Sequence, residues 1–185
     1  MFQKSIAAAA ALAVAGFAAA QSGGMGSENA NQLVDFSGVS LKLSLGIPYD
    51  DNIREGIGAT LLGLGIEFQP TRSLLRNSET YFSAEIFLRD LSATRGYVLP
   101  VTVNQRFYNT RTVAANLRRN YAFVGVGFAF TDADNAGGTS GALCLRGGVG
   151  SEVGERLFFE AGILFGAGDD RARPNVISFS GGYRF

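Results

Sequence analysis

The alternation of apolar and polar residues in the last eleven positions constrains the fold more than any other feature of the chain. Between residues 175 and 185, small or polar side chains alternate with four apolar ones, Ile177, Phe179, Tyr183 and Phe185. Successive side chains of a β-strand point to opposite faces of its sheet. The pattern therefore predicts a strand with one apolar and one polar face, and the final aromatic ring belongs to the apolar face.

The same period of two recurs along most of the chain and predicts eight strands. The alternating segments are residues 39–47, 62–68, 82–89, 97–107, 121–130, 143–149, 157–166 and 177–185. The stretches between them contain the Gly, Pro, Asp and Asn residues that are typical of turns, so we expect successive hairpins. Residues 48–52 and 150–154 are predicted as turns, 109–119 as a longer connection and 131–141 as a loop. Pro100 lacks a backbone donor, so we expect a bulge or local bend in the fourth strand.

The first twenty residues have the composition of a secretory signal peptide. Lys4 supplies a positive charge, residues 5–17 form an Ala-rich apolar run, and small residues precede Gln21. A helix needs roughly 20 apolar residues to span a membrane, and this run is too short. The predicted organisation is a cleaved signal peptide over 1–20, a flexible polar leader over 21–35 and one β-domain over 36–185.

The charged residues within the predicted strands all occupy the polar face. They are Lys42, Glu67, Glu85, Arg89, Arg106, Arg146, Glu160 and Arg184. A water-exposed face would be rich in Lys, Glu and Thr, whereas this face consists mainly of Gly and Ser. The pattern predicts that these charges form an ion network inside a narrow barrel whose apolar face points outward to lipid. A structural ion-paired core and a narrow polar path for solutes both remain open for this network.

Strand length and aromatic placement also favour a membrane-spanning barrel. Eight tilted strands of about nine to eleven residues can cross a bilayer, and closure leaves no unpaired sheet edge. Aromatic residues cluster near both ends of the strands, where transmembrane barrels carry two girdles. One group comprises Phe68, Phe82, Phe107, Tyr183 and Phe185, and the other Tyr97, Phe130 and Phe165. The predicted fold is an all-β, eight-stranded antiparallel up-and-down transmembrane β-barrel.

The apparent signal peptide, the eight amphipathic strands and the terminal sequence GGYRF together resemble small outer-membrane β-barrel proteins of the outer-membrane-protein-A and -X type. Ile177, Phe179, Tyr183 and Phe185 look like the C-terminal assembly signal of that class, although Gly181 stands where a larger apolar residue is usual. The resemblance implies outer-membrane location, periplasmic chain ends, and lipid and the barrel-assembly machinery as partners. It implies little about activity.

Composition excludes several classes of function. The chain has no histidine, which excludes Ser-His-Asp and Cys-His nucleophilic sites and every His-dependent metal site. Cys144 is the only cysteine, so no intramolecular disulfide forms. Loss of Lys4 leaves 15 basic against 16 acidic side chains, which does not suggest a nucleic-acid partner. No catalytic residue, cofactor or strong metal site is predicted.

Acidic pairs recur in the predicted connections. They are Asp50 with Asp51, Asp132 with Asp134, and Asp169 with Asp170. Weak binding of divalent cations at these external loops is one hypothesis, and ordinary solvated turns are the simpler interpretation.

Taken together, the sequence favours a non-enzymatic, monomeric outer-membrane barrel that acts as a structural envelope component or a surface-interaction protein. One alternative is a narrow channel or carrier for small solutes. A second is a soluble periplasmic lipid-binding barrel, which requires the apolar strand faces to line an internal cavity.

Overall fold

The structure is a computed structural model, and it describes seven segments of the chain. They are residues 38–70, 73–75, 78–89, 96–109, 118–133, 138–167 and 173–185. The predicted signal peptide and leader lie outside the described residues, as does most of the predicted connection over 109–119. Among the described residues, no helix is long and apolar enough to cross a membrane.

The described residues form eight antiparallel strands and one short helix. In chain order these are β1 Val39–Pro48, α1 Asp51–Ile57, β2 Leu61–Phe68, β3 Glu79–Leu88, β4 Tyr97–Tyr108, β5 Arg118–Ala133, β6 Gly138–Val153, β7 Leu157–Ala167 and β8 Val176–Arg184. Each strand pairs with the next, and β8 pairs back onto β1 to close the ring. The predicted eight-stranded antiparallel up-and-down barrel is confirmed. We call the end that holds Val39 and Phe185 the terminal end and the opposite end, with α1, the loop end.

β5 and β6 extend beyond their predicted bounds. Arg118 and Arg119 pair with Val153 and Glu152 at the terminal end, so the predictions of a connection and a tight turn at these positions are wrong. At the loop end Asp132 pairs with Thr139 inside the ladder, although it was predicted to lie in a loop. Backbone pairing continues past the apolar segments because each strand satisfies the hydrogen-bonding groups of the other, whatever its side chains.

Pro100 interrupts a ladder without forming a bulge. The pairs Ala84–Val101 and Phe87–Val98 lie on either side of it in the same register, so no extra residue is inserted. Of the two alternatives expected here, a bulge or a local bend, the bulge is therefore wrong. Leu99 and Pro100 have no registered partner on β3, which agrees with the missing proline donor.

Helix α1 was missed by the sequence analysis, which predicted only a turn at its start. Ile53 and Ile57, four residues apart, lie on the same helical face, and both are fully buried. The helix contacts β1 and β5, which lie on opposite sides of an eight-stranded ring. It therefore crosses the loop end of the barrel.

The apolar face of the strands points outward, as predicted. Leu43, Leu145 and Val149 are 67%, 59% and 60% exposed, whereas Lys42 on the opposite face is 2% exposed. Tyr97 departs from the predicted girdle, since it is only 9% exposed. The polar and charged face of the sheet thus lines the interior.

Candidate functional site

The central ion cluster fills the middle of the barrel with three cations and three carboxylates. Its members are Lys42, Arg106, Arg146, Glu67, Glu85 and Glu160. Every one of these residues is at least 94% buried. The equal numbers of positive and negative groups matter because an unpaired buried charge is strongly destabilising.

Lys42 lies between all three carboxylates. Its Nζ is 3.3 Å from Glu67 Oε1, 3.1 Å from Glu85 Oε2 and 3.4 Å from Glu160 Oε2. The chain has only one other lysine, Lys4, so this ammonium group is the one lysine in the predicted domain. A single compact charge can satisfy three surrounding carboxylates because it donates in three directions.

The two arginines complete the ion pairing of the cluster. Arg106 Nη2 lies 3.2 Å from Glu67 and 3.4 Å from Glu160, and Arg146 Nη2 lies 3.3 Å from Glu85 and 3.6 Å from Glu160. Among the described ion pairs, Glu160 contacts all three cations, whereas Glu67 and Glu85 each contact two. Glu160 therefore links the two halves of the cluster.

Aromatic side chains wall the cluster on the side facing the terminal end. The Arg106 guanidinium carbon lies 4.3 Å from the centre of the Tyr81 ring and 4.5 Å from that of Tyr121. The Tyr121 hydroxyl also donates to Glu160 at 3.0 Å. Cation–π contacts and hydrogen bonds of this kind hold the arginine in place where water is excluded.

Glycines opposite the charged residues leave room for them. Lys42 pairs with Gly65 and with Gly182 on its two neighbouring strands, and Glu160 pairs with Gly150. A Cβ at Gly65 would lie 3.4 Å from Lys42 Cε and 3.3 Å from Glu85 Cβ. The glycine-rich polar face of the sequence is therefore the space in which the long ionic side chains pack.

A second ionic group, the terminal ion cluster, occupies the terminal end. It consists of Glu79, Tyr108, Arg119, Glu152 and Arg184. The Glu152 carboxylate lies 2.6 Å from Arg119, 2.6 Å from Arg184 and accepts from the Tyr108 hydroxyl at 2.7 Å. Sequence reasoning missed Glu152, although continuing the alternation of β6 from Arg146 in steps of two places it on the inner face.

The structure divides the predicted ion network between the two clusters, which a 3.7 Å contact between Arg106 Nη1 and Glu79 Oε2 connects. Six of its residues meet in the central ion cluster, and Arg184 joins Glu152 in the terminal ion cluster instead. Arg89 belongs to neither cluster. It follows the last residue of β3 at the loop end and is exposed, because the inner wall of the barrel ends there.

The loop end is filled by an apolar plug. It comprises Ile53, Ile57, Leu61, Phe87, Val98, Ala129, Ala133, Cys144, Leu164 and Val176. Phe87 is 2% exposed, and its ring lies over Gly46 and Gly63, where an added Cβ would come within 2.8 Å and 3.0 Å of it. The polar face of the strands predicted mainly small and charged residues inside, so this apolar layer corrects that expectation.

The described residues do not assemble a recognisable catalytic or metal centre. Ser44 donates to Glu85 and lies 2.8 Å from the Ser180 hydroxyl, but all three groups are buried within the ionic core. No three of the described Cys, Asp or Glu side chains are grouped to hold a metal ion. Of the predicted acidic pairs, Asp134, Asp169 and Asp170 lie outside the described residues.

The chain resembles known proteins in its fold and not in its sequence. No family model matches the chain, and no curated protein matches it. Among solved structures, the outer membrane enzyme PagL superimposes with a TM-score of 0.53 at 13% identity, covering 79% of this chain and 98% of PagL. The fold is that of small outer-membrane β-barrels.

Two further structures of this kind give lower scores. The crystal structure of Ail from Yersinia pestis has a TM-score of 0.48 at 13% identity and covers 80% of this chain and 97% of that one. The N-terminal β-barrel domain of OprF from Pseudomonas aeruginosa has a TM-score of 0.47 at 12% identity, with 80% and 96% covered. Sequence identity this low shows the fold alone and transfers no activity.

Proposed function

We propose that this protein is an integral outer-membrane β-barrel with a non-enzymatic, structural role in the cell envelope, inserted as a monomer with its terminal end toward the periplasm. The observation that carries the proposal is a charge-balanced, filled interior inside a belt of exposed apolar side chains. Water would disfavour so large an apolar surface, whereas bilayer hydrocarbon accommodates it. The low exposure of the charged residues supports the same assignment.

The alternative of a soluble lipid-binding barrel needs an apolar cavity lined by the strand faces. In the described residues the apolar faces lie outside, and the interior is filled by ionic and apolar side chains. The proposal therefore favours lipid around the barrel rather than lipid within it.

The channel alternative needs a continuous polar path between the two ends. The apolar plug and α1 occupy the loop end, and the carboxylates of the central ion cluster are paired with cations. An eight-stranded barrel has an interior just wide enough for its own side chains. These features support a closed barrel, with the ion clusters as core packing.

Fractionation and conductance test this proposal together. We expect the full-length protein in the outer-membrane fraction, with faster gel migration before boiling than after it, and no stepwise conductance in a planar bilayer. Recovery in the soluble periplasm without a mobility shift would contradict the membrane assignment. Salt-dependent conductance that disappears in Glu85→Ala or Arg106→Ala would instead establish the channel.

The C-terminal strand is proposed to act as the signal read by the barrel-assembly machinery. Phe185 is 56% exposed, and its ring contacts that of Tyr183 on the outer surface. We expect Phe185→Ala to lower the heat-modifiable fraction severalfold in cells, while the purified variant refolds in detergent as well as the unmodified protein. Phe159→Ala is the matched control because Phe159 is an outward-facing aromatic of nearly equal exposure, 55%. Equal assembly of both variants would contradict a signalling role.

A further inference from the structure

Two polar residues break the apolar pattern on the outer wall near the terminal end. Thr80 on β3 and Gln105 on β4 are directly paired, and both share the outward face with Phe82 and Phe107. They are nevertheless only 2% and 8% exposed. Polar groups at lipid-facing positions are costly unless their hydrogen bonds are satisfied. Some other part of the chain must therefore bury Thr80 and Gln105 and bind their polar atoms.

Two described residues of the connection between β2 and β3, Ser73 and Leu74, hydrogen-bond to this polar pair. The Leu74 backbone N–H donates to Thr80 Oγ1 at 2.7 Å, and Gln105 Nε2 donates to Ser73 Oγ at 2.9 Å. Thr80 Oγ1 in turn donates to Gln105 Oε1 at 2.9 Å. Because Thr80 and Gln105 point away from the barrel interior, the described part of this connection lies against the outer wall and not across the barrel end.

The same segment leaves two leucine side chains exposed on the outer side of the barrel wall. Leu74 is 74% exposed, the highest value among the large apolar residues of the described chain, and Leu75 is 53% exposed. The Leu75 carbonyl accepts from the Ser78 hydroxyl at 2.9 Å. The segment that hydrogen-bonds to Thr80 and Gln105 thus carries exposed leucine side chains on the outward side of β3 and β4.

We propose that Leu74 and Leu75 form a membrane-interface anchor, inserted into the bilayer leaflet that surrounds the terminal end. The proposal rests on the membrane assignment made above and adds a second, non-strand contact with lipid. The leucines belong to a segment that hydrogen-bonds to the outward face shared by Phe82 and Phe107. This position on the outer wall identifies lipid as the occupant, since an apolar side chain at the headgroup boundary gains by leaving water. The hydrogen bonds of Thr80 and Gln105 set the depth of the anchor.

The absence of tryptophan from the chain allows a direct test. Leu74→Trp places a single fluorophore on the anchor, in the full domain reconstituted into phosphatidylethanolamine–phosphatidylglycerol vesicles. Leu145→Trp, at a 59% exposed outward position of β6, marks the lipid-facing wall, and Glu155→Trp marks the exposed β6–β7 turn at the same end. Quenching by brominated acyl chains reports lipid contact, and quenching by acrylamide reports water contact.

We expect the Leu74→Trp emission to be blue-shifted from that of Glu155→Trp, quenched by brominated lipid and severalfold less sensitive to acrylamide. Adding Thr80→Val, which removes Oγ1, should increase the acrylamide sensitivity. Emission like that of Glu155→Trp, with no lipid quenching, overturns the anchor if Leu145→Trp is still quenched by lipid. Lack of lipid quenching in Leu145→Trp would instead overturn the membrane assignment itself.

Discussion

Glu160→Gln is expected to lower the free energy of unfolding by about 3–5 kcal/mol, because it leaves three buried cations facing two carboxylates. The Glu160 side chain is 1% exposed and lies within 3.4 Å of Lys42 and Arg106 and 3.6 Å of Arg146. Glutamine keeps the shape of the side chain but loses the charge that all three cations share. Urea titration in detergent micelles or vesicles, followed by heat-modifiable mobility, measures the change.

A matched control and a double variant separate buried pairing from charge removal in general. Glu155→Gln removes one carboxylate from the exposed β6–β7 turn and should change stability by no more than about 0.5 kcal/mol. Lys42→Met combined with Glu160→Gln restores equal charge in the core, so its loss should be smaller than the sum of the two single losses. A strictly additive double variant, or a Glu160→Gln loss equal to that of the control, would contradict the pairing.

Phe87→Ala is expected to lower the free energy of unfolding by about 3–5 kcal/mol, the usual range for a large aromatic removed from a packed interior. The ring is 2% exposed and belongs to the same buried cluster as Ile53, Leu61 and Val98. Phe87 faces the barrel interior, so lipid around the proposed membrane barrel would not fill the cavity that truncation leaves. The same urea titration measures the loss.

Phe165→Ala provides the comparison for the plug. Phe165 also lies toward the loop end, but it faces outward and is 55% exposed, so acyl chains can occupy the space left by the ring. We expect its effect to be clearly smaller than that of Phe87→Ala. If the two truncations cost the same, the loop end would behave as a loosely packed mouth and the proposed plug would be wrong.

Much of the fold was predictable because the alternation of apolar and polar residues within each strand identifies its two faces. Alternation from Val39 to Ile47, for example, is a local property, and it predicted both the strand and its outward apolar side. The charged residues all occupy the strand face opposite the apolar one, and this grouping likewise predicted a polar interior. The precise ends of β5 and β6 were not predictable, because pairing between polar segments such as Asn120 with Ser151 follows from the neighbouring strand rather than from a side-chain pattern.

The amino-acid pattern alone predicted the eight strands, their closure into a barrel with an apolar exterior, and an inner position for the charged strand residues. That position holds for the six residues of the central ion cluster and for Arg184. Tertiary structure decided which of those charges meet, since register brings Lys42, Glu67 and Glu160 together from three separate strands. It also decided that Phe87 and Ile53 form an apolar plug and that Leu74 and Ser73 hydrogen-bond to Thr80 and Gln105. The physical reason is the distance along the chain over which each effect acts. Periodicity reflects the environment of neighbouring residues, whereas the ion pairs, the apolar plug and the hydrogen bonds to Thr80 and Gln105 depend on contacts between different segments of the chain.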